Sequence, residues 1–209
     1  MQIATFAAAA RRAAVLFVVL PLLLTACSPR DRSSVRQAAD AASAADEPPQ
    51  YVFGVDPHLL GDRYTLPGGG LSLKPPAGWQ PVDDDTRRVV ERQIRDSVAD
   101  GPVSGSLIEL FVDSDTGSAL TILRLDGELS PREIGRALEQ AEAADKAVFR
   151  HAGMEIVQIR SVAAGAVAFS LITRAAGETP VLLQYVITEA ADDRAMRAVE
   201  SSIGSLRTE

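Results

Sequence analysis

Three strand-like segments in the C-terminal half of the chain follow one another with very short connections. They are "MEIVQIRSV" (154–162), "AVAFSLITR" (166–174) and "VLLQYVIT" (181–188), joined by the Gly-containing loops "AAG" and "AAGETP". A parallel crossover needs roughly a dozen residues, usually including a helix, and these loops are too short to provide one. The three segments are therefore predicted to form an antiparallel meander.

Earlier in the chain, two more strand-like segments flank a loop rich in turn-forming residues. "SLIELFVD" (106–113) and "ALTILRLD" (119–126) are separated by "SDTGS" (114–118), whose residue types are typical of a turn. A shorter strand, "LSLK", alternates Leu71 and Leu73 with polar residues and follows a glycine-rich turn.

Three segments combine helical spacing of apolar residues with a start signal. The first follows the aspartates 83–85, and the second begins with Ser130 as N-cap and Glu133 completing a capping box. The third spans 192–207. Their apolar stripes, each expected to lie on a core, are Val90, Ile94 and Val98; Ile134, Ala137, Leu138 and Ala141; and Met196, Val199, Ile203 and Leu206.

The order of these segments indicates the fold class. A strand, a helix, two strands, a helix, three strands and a last helix indicate an α+β fold, an antiparallel sheet flanked by helices. Residues 63–209 have the size of one domain.

Two short motifs resemble those of a known superfamily. The first strand runs into "LKPPAGW" (73–79), and the last helix ends in "SSIGSLR" (201–207). With the order of elements, these motifs resemble the Mog1/PsbP-like superfamily, particularly bacterial lipoproteins of the DcrB and LpqN types, over residues 64–207. The resemblance implies an α/β/α sandwich that serves in binding or assembly, and it transfers no active site.

The N-terminus has the layout of an export signal. Arg11 and Arg12 precede an apolar run, Ala13–Leu24, and small residues follow it. The run has 12 residues, whereas a helix that crosses the hydrocarbon core needs about 20. A cleaved signal peptide is therefore predicted over residues 1–26.

The end of this segment contains the only cysteine of the chain. "LTAC" (24–27) resembles the lipobox of bacterial lipoproteins. The resemblance implies that the thiol of Cys27 is alkylated by a diacylglycerol, that cleavage makes Cys27 the first residue, and that acyl chains such as palmitate anchor it. Ser28 in place of Asp implies, in a Gram-negative cell, the outer membrane facing the periplasm.

A polar tether is predicted between this anchor and the domain. Residues 27–62 form a lipidated N-terminus and flexible linker, because the segment 28–50 has too little apolar surface to fold. Tyr51–Leu60 is apolar again and is predicted to pack on the domain as an N-terminal arm. Residues 1–26 hold two of the 21 basic residues and none of the 28 acidic ones, so the rest has 19 basic, 28 acidic and a net charge of −9. A surface this acidic argues against nucleic acid as a partner.

The loop between the first two long strands carries the most suggestive chemistry. Asp115-Thr116-Gly117-Ser118 resembles the aspartic-protease motif, in which two carboxylates share a proton; one copy of the motif would require a dimer. The loop also resembles the first motif of haloacid-dehalogenase-type phosphotransferases, with Asp113 as nucleophile and Asp115 as general acid, although that fold has a parallel sheet. A polar hairpin turn needs the same residue types.

Other sites are disfavoured by the residues present. The chain has two histidines, His58 and His151, and the one cysteine is assigned to lipid, so a zinc site is not predicted. His151 is expected at a strand end, and Trp79 in the core or at its rim. We predict no metal and no cofactor.

The sequence thus favours a non-catalytic domain that binds or assists another envelope protein while a lipid holds it to the membrane. One alternative is an aspartic-protease-like hydrolase using Asp115. A further alternative is a small-ligand carrier with its pocket between sheet and helix.

Overall fold

A computed structural model of the protein describes residues 48–68, 70–98, 104–127, 129–139, 145–163, 165–174 and 178–209. Cys27, the predicted signal peptide and most of the predicted linker lie outside these residues.

Two antiparallel sheets contain the strands of the described residues. The strands are β1 (Tyr64–Thr65), β2 (Leu71–Leu73), β3 (Gln80–Pro81), β4 (Gly105–Val112), β5 (Ala119–Leu125), β6 (Asp145–His151), β7 (Met154–Ala163), β8 (Ala166–Thr173), β9 (Val181–Thr188) and β10 (Arg207–Thr208). The larger sheet has the order β3-β4-β5-β9-β8-β7-β6, and the smaller has the order β1-β2-β10. The predicted meander is confirmed, because β8 pairs antiparallel with both β7 and β9.

Helices pack on both faces of the larger sheet. They are α1 (Asp84–Val98), α2 (Pro131–Glu139) and α3 (Asp193–Gly204), and a 3-10 turn spans Pro57–Leu59. Among the described residues, no helix has the length and apolar character needed to cross a membrane. The predicted α+β fold, with helices flanking an antiparallel sheet, is confirmed.

Alternate residues of β9 show how the two faces are filled. Leu182 belongs to the core under α1 and α2, together with Ile94 and Ile134. Leu183 points to the opposite face, where it belongs to the core that includes Val199 of α3. The central strand is therefore buried on both sides.

The predicted helix starts are confirmed by their hydrogen bonds. A side-chain oxygen of Asp83 accepts from the N–H of Thr86 at 2.8 Å. The N–H of Ser130 donates to the carboxylate of Glu133 at 2.8 Å, and the Ser130 hydroxyl accepts from the Glu133 N–H at 3.3 Å. Asp192 caps α3 in the same way as Asp83 caps α1.

The sheet differs from the prediction in two respects. The strand at Leu71–Leu73 pairs with β1 and β10 rather than with the larger sheet, so the expected single sheet is two sheets. The meander also has a fourth strand, β6, which the sequence pattern does not predict because "DKAVFRH" mixes charged and apolar residues.

One helix stripe also needs correction. Met196 is 38% exposed and does not belong to the core, whereas Leu206 is 1% exposed although α3 ends at Gly204. The side chains of Val98, Ala137 and Leu138, and the whole of Ala141, fall outside the described residues.

Candidate functional site

The loop with the DTGS sequence is a tight hairpin between β4 and β5. The N–H of Asp113 donates to the carbonyl of Ser118 at 2.9 Å, and the Asp113 carbonyl accepts from the Gly117 N–H at 2.8 Å. Gly117 has a φ of 76°, which costs a glycine little. The turn interpretation is confirmed.

Polar side chains of this hairpin bond mainly to one another. The carboxylate of Asp113 accepts from the Asp115 N–H at 3.1 Å and from the Thr116 hydroxyl at 2.7 Å. The Thr116 hydroxyl also lies 3.0 Å from the Ser118 hydroxyl. The backbone carbonyl of Thr116 accepts from the Thr188 hydroxyl at 2.8 Å. Asp113 therefore stabilises the turn, while the side chain of Asp115 is exposed to solvent.

This geometry bears on the two catalytic alternatives. Within the described residues, no hydrogen bond or ion pair joins the carboxylate of Asp115 to another carboxyl group. The protease alternative still requires a second chain. The phosphotransferase alternative does not fit, because the larger sheet is antiparallel and Asp113 is engaged in the turn.

The two histidines lie in different places. His58 is exposed in the 3-10 turn, where its N–H donates to Asp56 at 3.0 Å. His151 is the last residue of β6, as predicted. No three metal-ligating side chains of the described ranges lie close enough together to hold an ion.

Residues 48–60, the N-terminal arm, lie beside the edge strand β6. The N–H of Tyr51 donates to the carbonyl of Arg150 at 2.8 Å, and the Arg150 N–H donates to the carbonyl of Pro49 at 2.9 Å. Gln50 and Arg150 form a parallel bridge. The predicted packing of Tyr51–Leu60 is confirmed, and Pro49 and Gln50 of the expected linker also contact the domain.

An aromatic cluster holds the arm against the body. The ring centroid of Phe149 lies 5.6 Å from that of Tyr51 and 5.7 Å from that of Phe53. Phe53 also meets the imidazole of His151 edge-on at 5.0 Å. We call the surface under the arm the arm seat; it comprises Phe149, Arg150, His151, Ser201 and Gly204.

Gly204 and Ser201 of α3 fit the arm closely. A Cβ added to Gly204 would lie 2.6 Å from the Cβ of Phe53, so only glycine admits this approach. The hydroxyl of Ser201 accepts from the N–H of Asp56 at 3.1 Å.

The imidazole of His151 lies between two backbone carbonyls. Its Nδ1 is 3.3 Å from the carbonyl oxygen of Tyr51, and its Nε2 is 3.2 Å from that of Gly204. A neutral imidazole has one N–H and can donate to only one of these oxygens, whereas an imidazolium donates to both. His151 thereby links the arm, β6 and the end of α3.

The remaining serines of "SSIGSLR" join α3 to the segment after β2. The hydroxyl of Ser202 donates to the carbonyl of Lys74 at 2.6 Å, and the Lys74 N–H donates to the hydroxyl of Ser205 at 2.7 Å. The buried hydroxyl of Tyr185 lies 2.9 Å from the Ser202 hydroxyl. Burial raises the pKa of Tyr185, and the Ser202 hydrogen bond partly opposes that shift. Trp79 is buried against Tyr185, as predicted for a core residue.

A polar row crosses the centre of the sheet on the face of α1 and α2. Thr121 of β5, Gln184 of β9 and Ser170 of β8 are direct cross-strand neighbours. The amide nitrogen of Gln184 donates to the Ser170 hydroxyl at 3.3 Å. Thr121 is 1% exposed and Gln184 is 3% exposed, yet Thr121 Oγ1 and Gln184 Oε1 have no hydrogen-bond partner among the described residues.

Small side chains lie beside this row. Ala119, Val186 and Ala168 are the next cross-strand set along the same three strands, and all are buried. Since side chains two residues apart in a strand share a face, the polar row and the small row are adjacent.

Ion pairs attach the helices on this face to the sheet. Arg132 of α2 makes two hydrogen bonds to the carboxylate of Glu155, at 2.9 and 2.7 Å, which raise the pKa of the guanidinium. Arg87 of α1 bonds Glu109 of β4 at 3.0 Å. These two ion pairs help to position α1 and α2 on the sheet.

Tyr64 lies near Glu109. Burial raises the pKa of the Tyr64 hydroxyl, and the Glu109 carboxylate raises it further.

Sequence reasoning missed the polar row and the arm seat. A signal for the row was present, because Gln184 interrupts the otherwise apolar run of β9 before Thr188. The seat had no comparable signal, since Phe149 and Gly204 are far apart in the chain.

Comparisons with known proteins identify no family. No protein-family profile matches the chain, and no curated protein matches it. A solved structure that does match is a protein of Bacteroides thetaiotaomicron, at 15% identity and a TM-score of 0.45. The match covers 71% of this chain and 48% of that one, so this chain spans about half the length of the matched structure. A likeness this distant does not bear on function.

Proposed function

We propose that this protein is a cell-envelope lipoprotein whose α+β domain binds or assists another envelope protein without catalysis. The observation that carries the proposal is the position of the single cysteine, Cys27, in "LTAC" after a basic and then apolar segment. Acyl chains on Cys27 would hold the domain to the membrane, since several chains give stable anchoring where one is marginal.

The N-terminal arm supports the tethered arrangement. The chain reaches the domain at one edge of the sheet, where the N–H of Tyr51 donates to the carbonyl of Arg150. A tether from Cys27 would therefore pull on the domain at the arm seat. In a Gram-negative cell, Ser28 favours the outer membrane, with the domain in the periplasm. The resemblance to Mog1/PsbP-like lipoproteins supports a binding or assembly role.

The lipid anchor is tested by mass spectrometry of the mature N-terminus. We expect a chain that begins at Cys27 and carries the mass of its acyl groups. The matched control is Cys27→Ser, which has no thiol to alkylate and should lack the mass of the acyl groups. An unmodified Cys27 in the membrane-bound protein would refute the proposal.

The partner is tested by cross-linking the intact lipoprotein in cells and identifying the linked peptides. We expect linked peptides from one envelope protein, at lower yield in Cys27→Ser. Equal linking to many unrelated proteins would contradict a specific assisting role.

A specific observation favours a second candidate, a small-ligand carrier. Thr121 Oγ1 and Gln184 Oε1, for which the described part of the chain offers no hydrogen-bond partner, are buried next to small side chains. Leaving such a group unpaired costs about 1–3 kcal/mol, so a bound molecule that donates an N–H or O–H would stabilise the domain. The expected ligand is a small neutral molecule with an apolar body and such a donor.

Native mass spectrometry of the purified protein tests this candidate. A carrier should retain a ligand that is lost in Gln184→Leu and in Thr121→Val. If the protein carries nothing and a bound water bridges the two oxygens, the carrier function is wrong.

A further inference from the structure

The arm adds one isolated parallel β-bridge to the edge of the larger sheet. Its backbone exchanges two hydrogen bonds with Arg150, in a parallel register centred on Gln50. Apart from this bridge, β6 pairs only with β7 among the described residues. Backbone bonds of this kind do not depend on the side chains of the added strand.

Alternate side chains of the arm supply the specific contacts. Tyr51 and Phe53 meet Phe149, while Val52 between them is 82% exposed. This is the alternation of a strand, with one face in contact and the other in solvent. Gly204 leaves the space that the Cβ of Phe53 and a methyl group of Val55 occupy. The arm seat thus selects aromatic residues two positions apart.

The first part of the arm, residues 48–53, is held less tightly than the strands of the sheet. Tyr51 is 50% exposed and Val55 is 43% exposed, so much of the arm's apolar surface stays outside the core. Residues 48–53 have two backbone bonds to the body, both to β6, whereas every residue of β6 is paired in register with β7. The other end of the arm is tied by the Asp56 N–H bond to Ser201 and by the Ala77 N–H bond to the Leu59 carbonyl at 2.8 Å. Segments with few buried contacts and few backbone bonds open at lower free-energy cost than the body.

We propose that the arm seat is a strand-addition site for another protein. Its guest is an extended segment with an aromatic-x-aromatic pattern, which runs parallel to β6 and replaces the chain's own arm. Arg150 bonds the guest backbone, the His151 imidazole faces a guest carbonyl, and Phe149 contacts its two rings. The proposal rests on the proposed binding function and names the class of partner.

The test uses the chain from Ser28 onward, which contains every described residue and carries no lipid. The probe is a fluorescent peptide with the sequence of residues 48–60, "PPQYVFGVDPHLL". The control peptide has Ser in place of the residues corresponding to Tyr51 and Phe53.

In the protein, the double variant Y51S/F53S weakens the resident arm and leaves the seat intact. We expect it to bind the probe about tenfold or more tightly than the unaltered chain does, because a tethered arm competes at an effective concentration on the order of millimolar. Adding Gly204→Val to that variant should abolish binding, and the control peptide should not bind.

The unaltered chain gives a second measurement if the variant does not fold. Saturating probe should displace the arm and speed hydrogen exchange at the Tyr51 amide, and the control peptide should leave that rate unchanged. Equal binding of both peptides, or no binding by a folded variant, would overturn the proposal.

Self-association is the remaining outcome. Concentration-dependent dimers of the unaltered chain that disappear in Y51S/F53S would identify a second copy as the guest and overturn the assignment to another protein. A failed lipid test on Cys27 would not affect these results, and absent peptide binding would leave the lipid assignment standing.

Discussion

The DTGS hairpin and the arm seat are held together in opposite ways. In the hairpin, the side chains of Asp113 and Thr116, three positions apart, bond each other. In the arm seat, Asp56 bonds Ser201 across 145 positions and Tyr51 contacts His151 across 100. Most hydrogen bonds of the hairpin lie within the loop, with Thr188 as a partner from outside it, whereas the contacts of the arm require β6 and α3 beside it. We expect perturbations of the two regions to be independent.

The largest effect is expected from filling the space at Gly204. Gly204→Ala places a Cβ 2.6 Å from Phe53 Cβ, and overpacking of this kind costs about 1–3 kcal/mol. The arm should detach, which hydrogen exchange at the Tyr51 amide would report.

The matched control is Gly54→Ala, since a Cβ there meets nothing within 4 Å. Its effect on the free energy of unfolding should stay within about 0.5 kcal/mol. Retained protection of the Tyr51 amide in Gly204→Ala would contradict the close fit.

A smaller loss is expected from the hairpin. Asp113→Ala removes the acceptor for the Asp115 N–H and the Thr116 hydroxyl, which should lower the free energy of unfolding by about 1–2 kcal/mol in urea denaturation. Exchange at the Tyr51 amide should not change.

Asp115→Ala is the control for this variant. Its exposed side chain should contribute less than about 0.5 kcal/mol. A large effect of Asp115→Ala on stability, or peptide hydrolysis at acid pH that Asp115→Asn abolishes, would revive a functional role for this residue.

Ser201→Ala should weaken the arm alone. It removes the acceptor of the Asp56 N–H, a change worth about 1 kcal/mol. Hydrogen exchange at the Asp56 and Tyr51 amides should become faster. The exchange rate at the Asp115 amide should not change. Equal changes in both regions would show that they are coupled.

The smallest effect on the free energy of unfolding is expected at another local network, the capping box of α2 formed by Ser130 and Glu133. Hydrogen bonds from the hydroxyl and N–H of Ser130 lower the pKa of Glu133 below 4.5. A lowered carboxyl pKa contributes stability that is present above the unfolded value and is lost as pH falls through the folded value.

Because Glu133 is exposed, this contribution should be well under 1 kcal/mol. The difference in unfolding free energy between the unaltered chain and Glu133→Gln should shrink as pH falls below about 4.5. A difference that does not vary between pH 3 and 6 would contradict the carboxylate cap.

Features whose hydrogen bonds or connections span only a few residues could be predicted from the sequence. Ser130 and Glu133 form a capping box that four residues suffice to define, and the loops after β7 and β8 are too short for anything but antiparallel pairing. The hairpin nature of Asp113–Ser118 could also be predicted, because its hydrogen bonds lie mostly within the loop. The lipid at Cys27 stays a prediction.

The tertiary structure decided what distant segments do together. The strand Leu71–Leu73 pairs with β10 because the end of α3 brings the C-terminus beside this strand. Gln184 is buried because β9 lies between β5 and β8. The arm seat needs Phe149 and Gly204 at one corner. The sequence by itself determined the elements and their caps, whose hydrogen bonds span a few residues. Contacts across 100 or more positions depend on how whole layers pack, and no local pattern records them.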